Sequence, residues 1–127
     1  MPSVALRAPF VCLSTHRSCV AERLLPLRVP QEHGHHANAR RLALTDADGG
    51  GLAVEGRPAI GFSASHLTAG DFYRARHTNE LEPRAEVVLS LDHAQRGLGT
   101  ASCGPDTAQR YRLVDPVYEF AYVLRRV

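Results

Sequence analysis

Residues 116–126 read PVYEFAYVLRR, and this stretch decides the fold. In an extended chain Tyr118, Phe120, Tyr122 and Leu124 fall on one face, while Val117, Glu119, Ala121, Val123 and Arg125 fall on the other. A side-chain period of two, with rings and aliphatics on one side and a mixed face behind, marks a half-buried antiparallel strand. Working back from it, residues 83–92 give a second strand, with Val87, Leu89 and Leu91 on one face and Val88, Ser90 and Asp92 on the other. That strand runs into a loop carrying Gly97, Gly99, Gly104 and Pro105. Glycine reaches backbone angles closed to other residues and proline fixes its own, so this loop has a defined shape. Shaped loops at strand ends are where proteins place binding residues.

The same texture continues upstream. Residues 41–45 alternate around Leu42 and Leu44, DADGGG at 46–51 is a turn, and 52–55 resume an extended run, so 41–55 reads as a hairpin. A further strand is expected after Pro58, with Ile60, Phe62 and Ala64 alternating. Thr68 followed by Asp71 predicts a capping box on a short helix over 69–75, with Asp in place of the usual Glu. PQEHGHHANA at 30–39 is loop-like, with Gly34 and Asn38 as turn formers. Five or six short strands, turns between them and one short helix predict an all-β antiparallel β-sandwich. Residues 1–29 form a poorly determined N-terminal segment, in which 21–27 offer a helical turn or two before Pro26 interrupts; 30–127 carry the sandwich portion.

Composition narrows the function classes. A chain of 127 residues is one domain's worth or part of one, and 44% hydrophobic content is globular. Net charge is only +2, every basic residue is Arg, and no basic run marks a nucleic-acid face. Cys12, Cys19 and Cys103 are odd in number and show no CxxC spacing, so neither a disulfide framework nor a zinc site is expected, and a reducing, cytoplasmic setting fits. The apolar run at 8–13 is too short for a signal-peptide core, and no stretch approaches a membrane span.

Three groups of residues bear chemistry. His33, His35 and His36 crowd one glycine-containing loop, but a metal site needs ligands that converge. Cys103, His93 and Asp92 suggest a nucleophilic triad, yet Asp92 and His93 are neighbours at a strand end and point to opposite faces, which argues against a relay. Glu80 with Glu82, or Glu86 with Asp92, would suit a glycosidase carboxylate pair, though their spacing does not distinguish them from surface acids. The residues alone describe a β-sandwich with one structured loop and no complete catalytic apparatus.

PQEHG at 30–34, RRLALTD at 40–46, GFSASHLT at 61–68, ARHTNEL at 75–81 and LDHAQRGLGTASCGPD at 91–106 occur in order. Together they resemble the C-terminal domain of the large bacterial β-galactosidases of glycoside hydrolase family 2. The resemblance covers about Pro30 to the C-terminus and implies part of a galactose-mutarotase-like supersandwich. It further implies that the loop at 97–106 reaches the rim of a galactoside pocket, where Cys103, flanked by Ser102 and Gly104, helps to wall the aglycone site. Some members carry Trp at that wall; Cys is a small, soft replacement, giving weaker stacking rather than a nucleophile. The family's two catalytic glutamates have no counterpart here, so the chain alone is expected to be inactive. The Mg and Na ions of family enzymes lie outside this segment, and no cofactor is expected on this chain.

The chain departs from the family at His33, where PQENG is usual, and at Arg41, where Trp is typical. An Arg buried beside core leucines would cost roughly 3 kcal/mol. Residues 1–29 match no family motif, and the missing half of the sandwich would leave apolar faces bare. The resemblance thus implies a truncated or complementing piece of an enzyme that hydrolyses terminal β-D-galactosides such as lactose. Its expected partners are the galactoside and the remainder of a β-galactosidase chain or subunit, with a homo-oligomer in the intact enzyme and neither nucleic acid nor membrane. A free-standing carbohydrate-binding or structural sandwich, and an inactive gene remnant, are the alternatives.

Overall fold

Asp46 builds the first turn of the sheet. Its Oδ1 accepts the backbone N–H groups of Asp48 and Gly50 at 3.0 and 2.9 Å, and its own N–H reaches the Gly50 carbonyl at 2.8 Å. A short carboxylate that satisfies turn donors in this way is why Asp opens so many tight connections. The turn joins β3 (His36–Thr45) to β4 (Gly51–Ser65), the hairpin expected from the alternation. The computed structural model describes residues 11–13, 19–20, 29–46 and 48–127. Around the hairpin lie β1 (Val11–Leu13), β2 (Cys19–Val20), β5 (Val88–Asp92), β6 (Ala121–Arg126) and, alone among the described residues in being α-helical, α1 (Ala69–Arg74). The expected helical turns at 21–27 lie outside the described residues.

All described strand pairs are antiparallel and belong to one sheet, ordered β2-β1-β3-β4-β5, with β6 also on β4. The all-β antiparallel class with one short helix is therefore what the residues dictate. Cross-strand partners share a face, so the register identifies the buried one. Leu42 faces Val54, Leu44 faces Leu52, Phe62 faces Leu91 and Ala64 faces Leu89. Leu42, Leu44, Val54, Ile60 and Phe62 are no more than 1% exposed, and Leu52, Ala64, Leu89 and Leu91 pack against them. Each large side chain buried here contributes about 1.5–3 kcal/mol.

Three details differ from the expectation, the first being that β6 begins only at Ala121 and leaves 116–120 outside the strand. The strand after Pro58 is not separate: β4 runs through it, because Pro58 falls between the residues paired to β6 (up to Arg57) and those paired to β5 (from Gly61). The missing proline N–H therefore removes no rung from either ladder. The supposed loop at 36–39 opens β3, with Asn38 at φ 58° inside a register shift between His36 and Ala39. Asn tolerates that left-handed conformation better than most residues, and a bulge of this kind bends a strand without ending it.

Arg41 carries no burial penalty. It is exposed and paired in register with Glu55, on the face opposite Leu42. The feared cost applied only to an inward Arg, and strand parity turns this one outward.

After β4 the chain caps α1 as the sequence requires. Asp71 N–H donates to Thr68 Oγ1 at 3.2 Å, and Thr68 N–H donates to Asp71 Oδ2 at 2.7 Å. Asp71 also takes Arg84 at 2.7 Å and Arg74 at 2.8 Å. The backbone and hydroxyl donors of Thr68, then the guanidiniums of Arg84 and Arg74, hold its carboxyl down at about 2 instead of 3.8. Glu80 is lowered in the same sense, first by the Arg76 N–H and then by His77. A depressed folded-state pKa means the unfolded chain binds more protons, so this stabilisation is full above about pH 4–5 and is lost as pH falls toward 2. Thermal melts of the protein and of Asp71→Asn between pH 6 and 2 should therefore converge below about pH 4. A melting gap that stays constant over that range would rule out this role.

Candidate functional site

The candidate site is the excursion of chain between β5 and β6. Both strands lie on the same edge of β4: β5 ends with Asp92 opposite Gly61, and β6 begins with Ala121 opposite Arg57. Residues 93–120 thus leave and re-enter the sheet at neighbouring points, and the neck is closed by rings. His93 lies 5.6 Å from Tyr118 and 5.7 Å from Phe120, and Phe120 lies 6.0 Å from Tyr122. Such tilted ring contacts add about 0.5–1.5 kcal/mol beyond simple burial.

Inside the loop one threonine and one aspartate hold the shape. Thr107 is 1% exposed, and its hydroxyl donates a three-centre bond to the carbonyls of Gly97 (2.8 Å) and Gly99 (2.9 Å). Asp106 stands between two arginines, Arg96 at 2.5 Å and Arg112 at 2.6 Å, and accepts the Thr107 N–H at 2.7 Å. Arg112 Nε also donates to the Thr107 carbonyl at 2.7 Å, so one guanidinium spans two consecutive residues. Planar guanidinium suits this double task where an ammonium would not. Thr100 and Asp106 form a single antiparallel bridge that narrows the loop just below its tip. Gly99 takes φ +128° there, and a Cβ added to it would sit 2.5 Å from the Thr107 nitrogen.

Ser102, Cys103 and Gly104 are all exposed at the tip, and the Cys103 thiol is free. The tip is presented, not buried, and its backbone is set by the Asp106–Thr107 clamp beneath it. Sequence reasoning singled out the glycines and the cysteine as candidates and did not reveal the clamp. Its signal was present as Arg96, Asp106 and Arg112, but only folding brings these together. It also missed Leu98, which is 99% exposed between two glycines.

The other chemistry-bearing groups disperse. His33 packs edge-on against Phe72 at 5.6 Å, and His36 stacks on Phe62 at 4.9 Å. His35 turns to Asp92 at 3.5 Å, lying over Gly61, where an added Cβ would come within 2.5 Å of Nε2. The three imidazoles strap residues 33–36 to three different elements. Among the described residues no three His, Cys, Asp or Glu side chains gather to hold a metal. Asp92 and His93 diverge as strand parity requires: Asp92 takes His35 and Gln95, while His93 takes the aromatic neck. Among the proposed carboxylate pairs, Glu80 is committed to Arg76 and His77.

This chain matches the family described as the β-galactosidase small chain over residues 11–124. It belongs to that family. The match takes in the span from Val11, upstream of the motifs recognised from Pro30 onward. A β-galactosidase of Arthrobacter sp. strain B7 is 35% identical over 99 residues, covering 74% of this chain and 10% of its own length. One from Staphylococcus xylosus is 31% identical over 98 residues, covering 77% and 10%. One from Actinobacillus pleuropneumoniae is 28% identical over 95 residues, covering 75% and 9%. The small-chain domain described here thus spans about a tenth of the length of these relatives. None of its described helices is long and apolar enough to cross a membrane.

Proposed function

We propose that this small-chain domain supplies the loop at 97–106 to the rim of a β-galactosidase pocket, and that it hydrolyses nothing by itself. The observation that carries this reading is the clamp: Asp106, Arg96, Arg112 and buried Thr107 hold an exposed tip in one shape before any ligand arrives. A preformed wall loses little entropy when substrate binds, which is the use of such a loop. Cleavage of terminal β-D-galactosides such as lactose, with a retaining pair of glutamates, belongs to the larger chain. A glycosidase acid needs a raised pKa, whereas Asp71 and Glu80 here are both pushed down. Cys103 serves as a wall for the aglycone sugar, with Ser102 and Gly104 beside it. A reducing cytoplasm keeps its exposed thiol free.

Mixing the purified chain with the Arthrobacter enzyme trimmed of the stretch matched here tests this. Hydrolysis of a nitrophenyl β-galactoside should appear only in the mixture, with lactose as the second substrate. In that mixture Cys103→Ala should leave kcat within about threefold and raise KM by about two- to fivefold, the scale of one lost soft wall contact. A loss above about a hundredfold in kcat would make Cys103 a reacting group and overturn the wall assignment.

A further inference from the structure

The loop at 93–114 carries three arginines, Arg96, Arg110 and Arg112, against one acid, Asp106. That local excess equals the net charge of +2 borne by the whole chain. Folding gathers these charges. Arg96 and Arg112 share the Asp106 carboxylate and remain 49% and 39% exposed. One carboxylate neutralises only one of the two guanidiniums, and each has five donors to satisfy. The Gly97 N–H donates to the Tyr111 carbonyl at 3.0 Å, so Arg110 and Arg112 flank this rung on one limb and Arg96 adjoins it on the other. Arg110 is exposed, with its guanidinium carbon 4.7 Å over the Tyr111 ring. Among the described residues no acid pairs with it. Contact through a ring face uses none of its N–H donors. The next acids along the chain lie toward the neck: Asp92 takes His35, and the Asp115 N–H donates to Tyr118 Oη at 2.8 Å.

Asp106 stands three residues from Cys103, and three residues span at most about 11 Å of extended chain. That is comparable to the distance over which physiological salt screens a charge, about 8 Å. A sugar that packs against Cys103 therefore has guanidinium charge near its outer substituents. We propose that Arg110, backed by the surplus charge of the Arg96–Arg112 pair, selects galactosides whose aglycone carries a carboxylate, such as a uronic acid. A planar guanidinium matches a carboxylate through paired N–H donors, which a neutral aglycone cannot exploit in the same way. This rests on the rim assignment above and adds a preference among its substrates.

The test uses the full chain and the same trimmed Arthrobacter enzyme, with carboxyumbelliferyl and methylumbelliferyl β-galactosides as charged and neutral substrates. The readout is the ratio of kcat/KM for the first over the second, which cancels differences in the extent of complementation. Arg110→Gln should lower that ratio about two- to fivefold, the scale of one partly exposed ion pair. Arg110→Lys, which keeps the charge, should retain most of it. Arg40→Gln removes an exposed arginine of β3 and should leave the ratio unaltered. Raising salt from about 0.05 to about 0.5 M should bring the unaltered chain's ratio down toward that of Arg110→Gln. If Arg110→Gln melts lower than the unaltered chain, this salt dependence decides alone. Hydrolysis of both substrates with a ratio that Arg110→Gln does not move overturns the charge selection and leaves the functional reading standing. An equal fall with Arg40→Gln overturns it as well, since net charge would then be the cause. No hydrolysis by the mixture overturns the functional reading, and this inference with it.

Discussion

Phe62→Ala is expected to lower the unfolding free energy by about 3–5 kcal/mol. The ring is 1% exposed, faces Leu91 across β4–β5, and carries the His36 imidazole stacked on it at 4.9 Å. Truncation removes the transfer free energy of the ring and leaves a cavity that neighbouring strands, tied by their ladders, cannot collapse to fill. It also frees one end of the histidine strap. A small domain holds only about 5–15 kcal/mol in total, so much of the chain should populate the unfolded state. Phe62→Leu, which keeps most of the volume, should cost nearer 1.5 kcal/mol. Urea titrations followed by circular dichroism separate the two, and a loss under about 1 kcal/mol for Phe62→Ala would contradict the central place given to this ring.

Gly99→Ala is the second large effect, and it is local. At φ +128° an L side chain is strained, and the new Cβ would lie 2.5 Å from the Thr107 nitrogen and 2.8 Å from the Asp106 carbonyl carbon. Both obstacles are backbone, so no rotamer change relieves them. Strain and overpacking together should cost about 3 kcal/mol. That cost falls on the clamp, because Gly99 also accepts the Thr107 hydroxyl. The sheet should keep its melt while the tip moves, so the KM of the complemented galactosidase should rise before stability changes much. Hydrogen exchange should accelerate at Gly97 and Thr107 and not in β3 or β4. Unchanged exchange at those two amides would show that the clamp is not what shapes the loop.

Several elements were legible from residues alone for one reason: their causes are local. The capping box needs only Thr68 and Asp71 at their spacing, and the 41–55 hairpin needs only alternation around an Asp-Gly turn. The parity of β6, which puts Tyr122 and Leu124 with Gly56 and Val54, follows from a period of two. The same parity, applied to Arg41, removes the penalty that its neighbour Leu42 had suggested.

What lay beyond the sequence depends on residues far apart in the chain. Three histidines within four positions looked like one site, yet each finds a partner on a different element, since packing and not proximity orients side chains. Arg96, Asp106 and Arg112 become a clamp only once the β5–β6 excursion is closed at its neck.

By itself, the sequence determined an all-β antiparallel chain, its turn and cap chemistry, and the motifs that place it among the β-galactosidase small chains. Tertiary structure alone decided that the loop is held by a buried threonine and an arginine-bound aspartate, and that three arginines gather on it around one acid. The division is physical: turns, caps and strand parity arise from forces acting over a few residues, whereas a clamp and a cluster of charge exist only when distant segments are brought together.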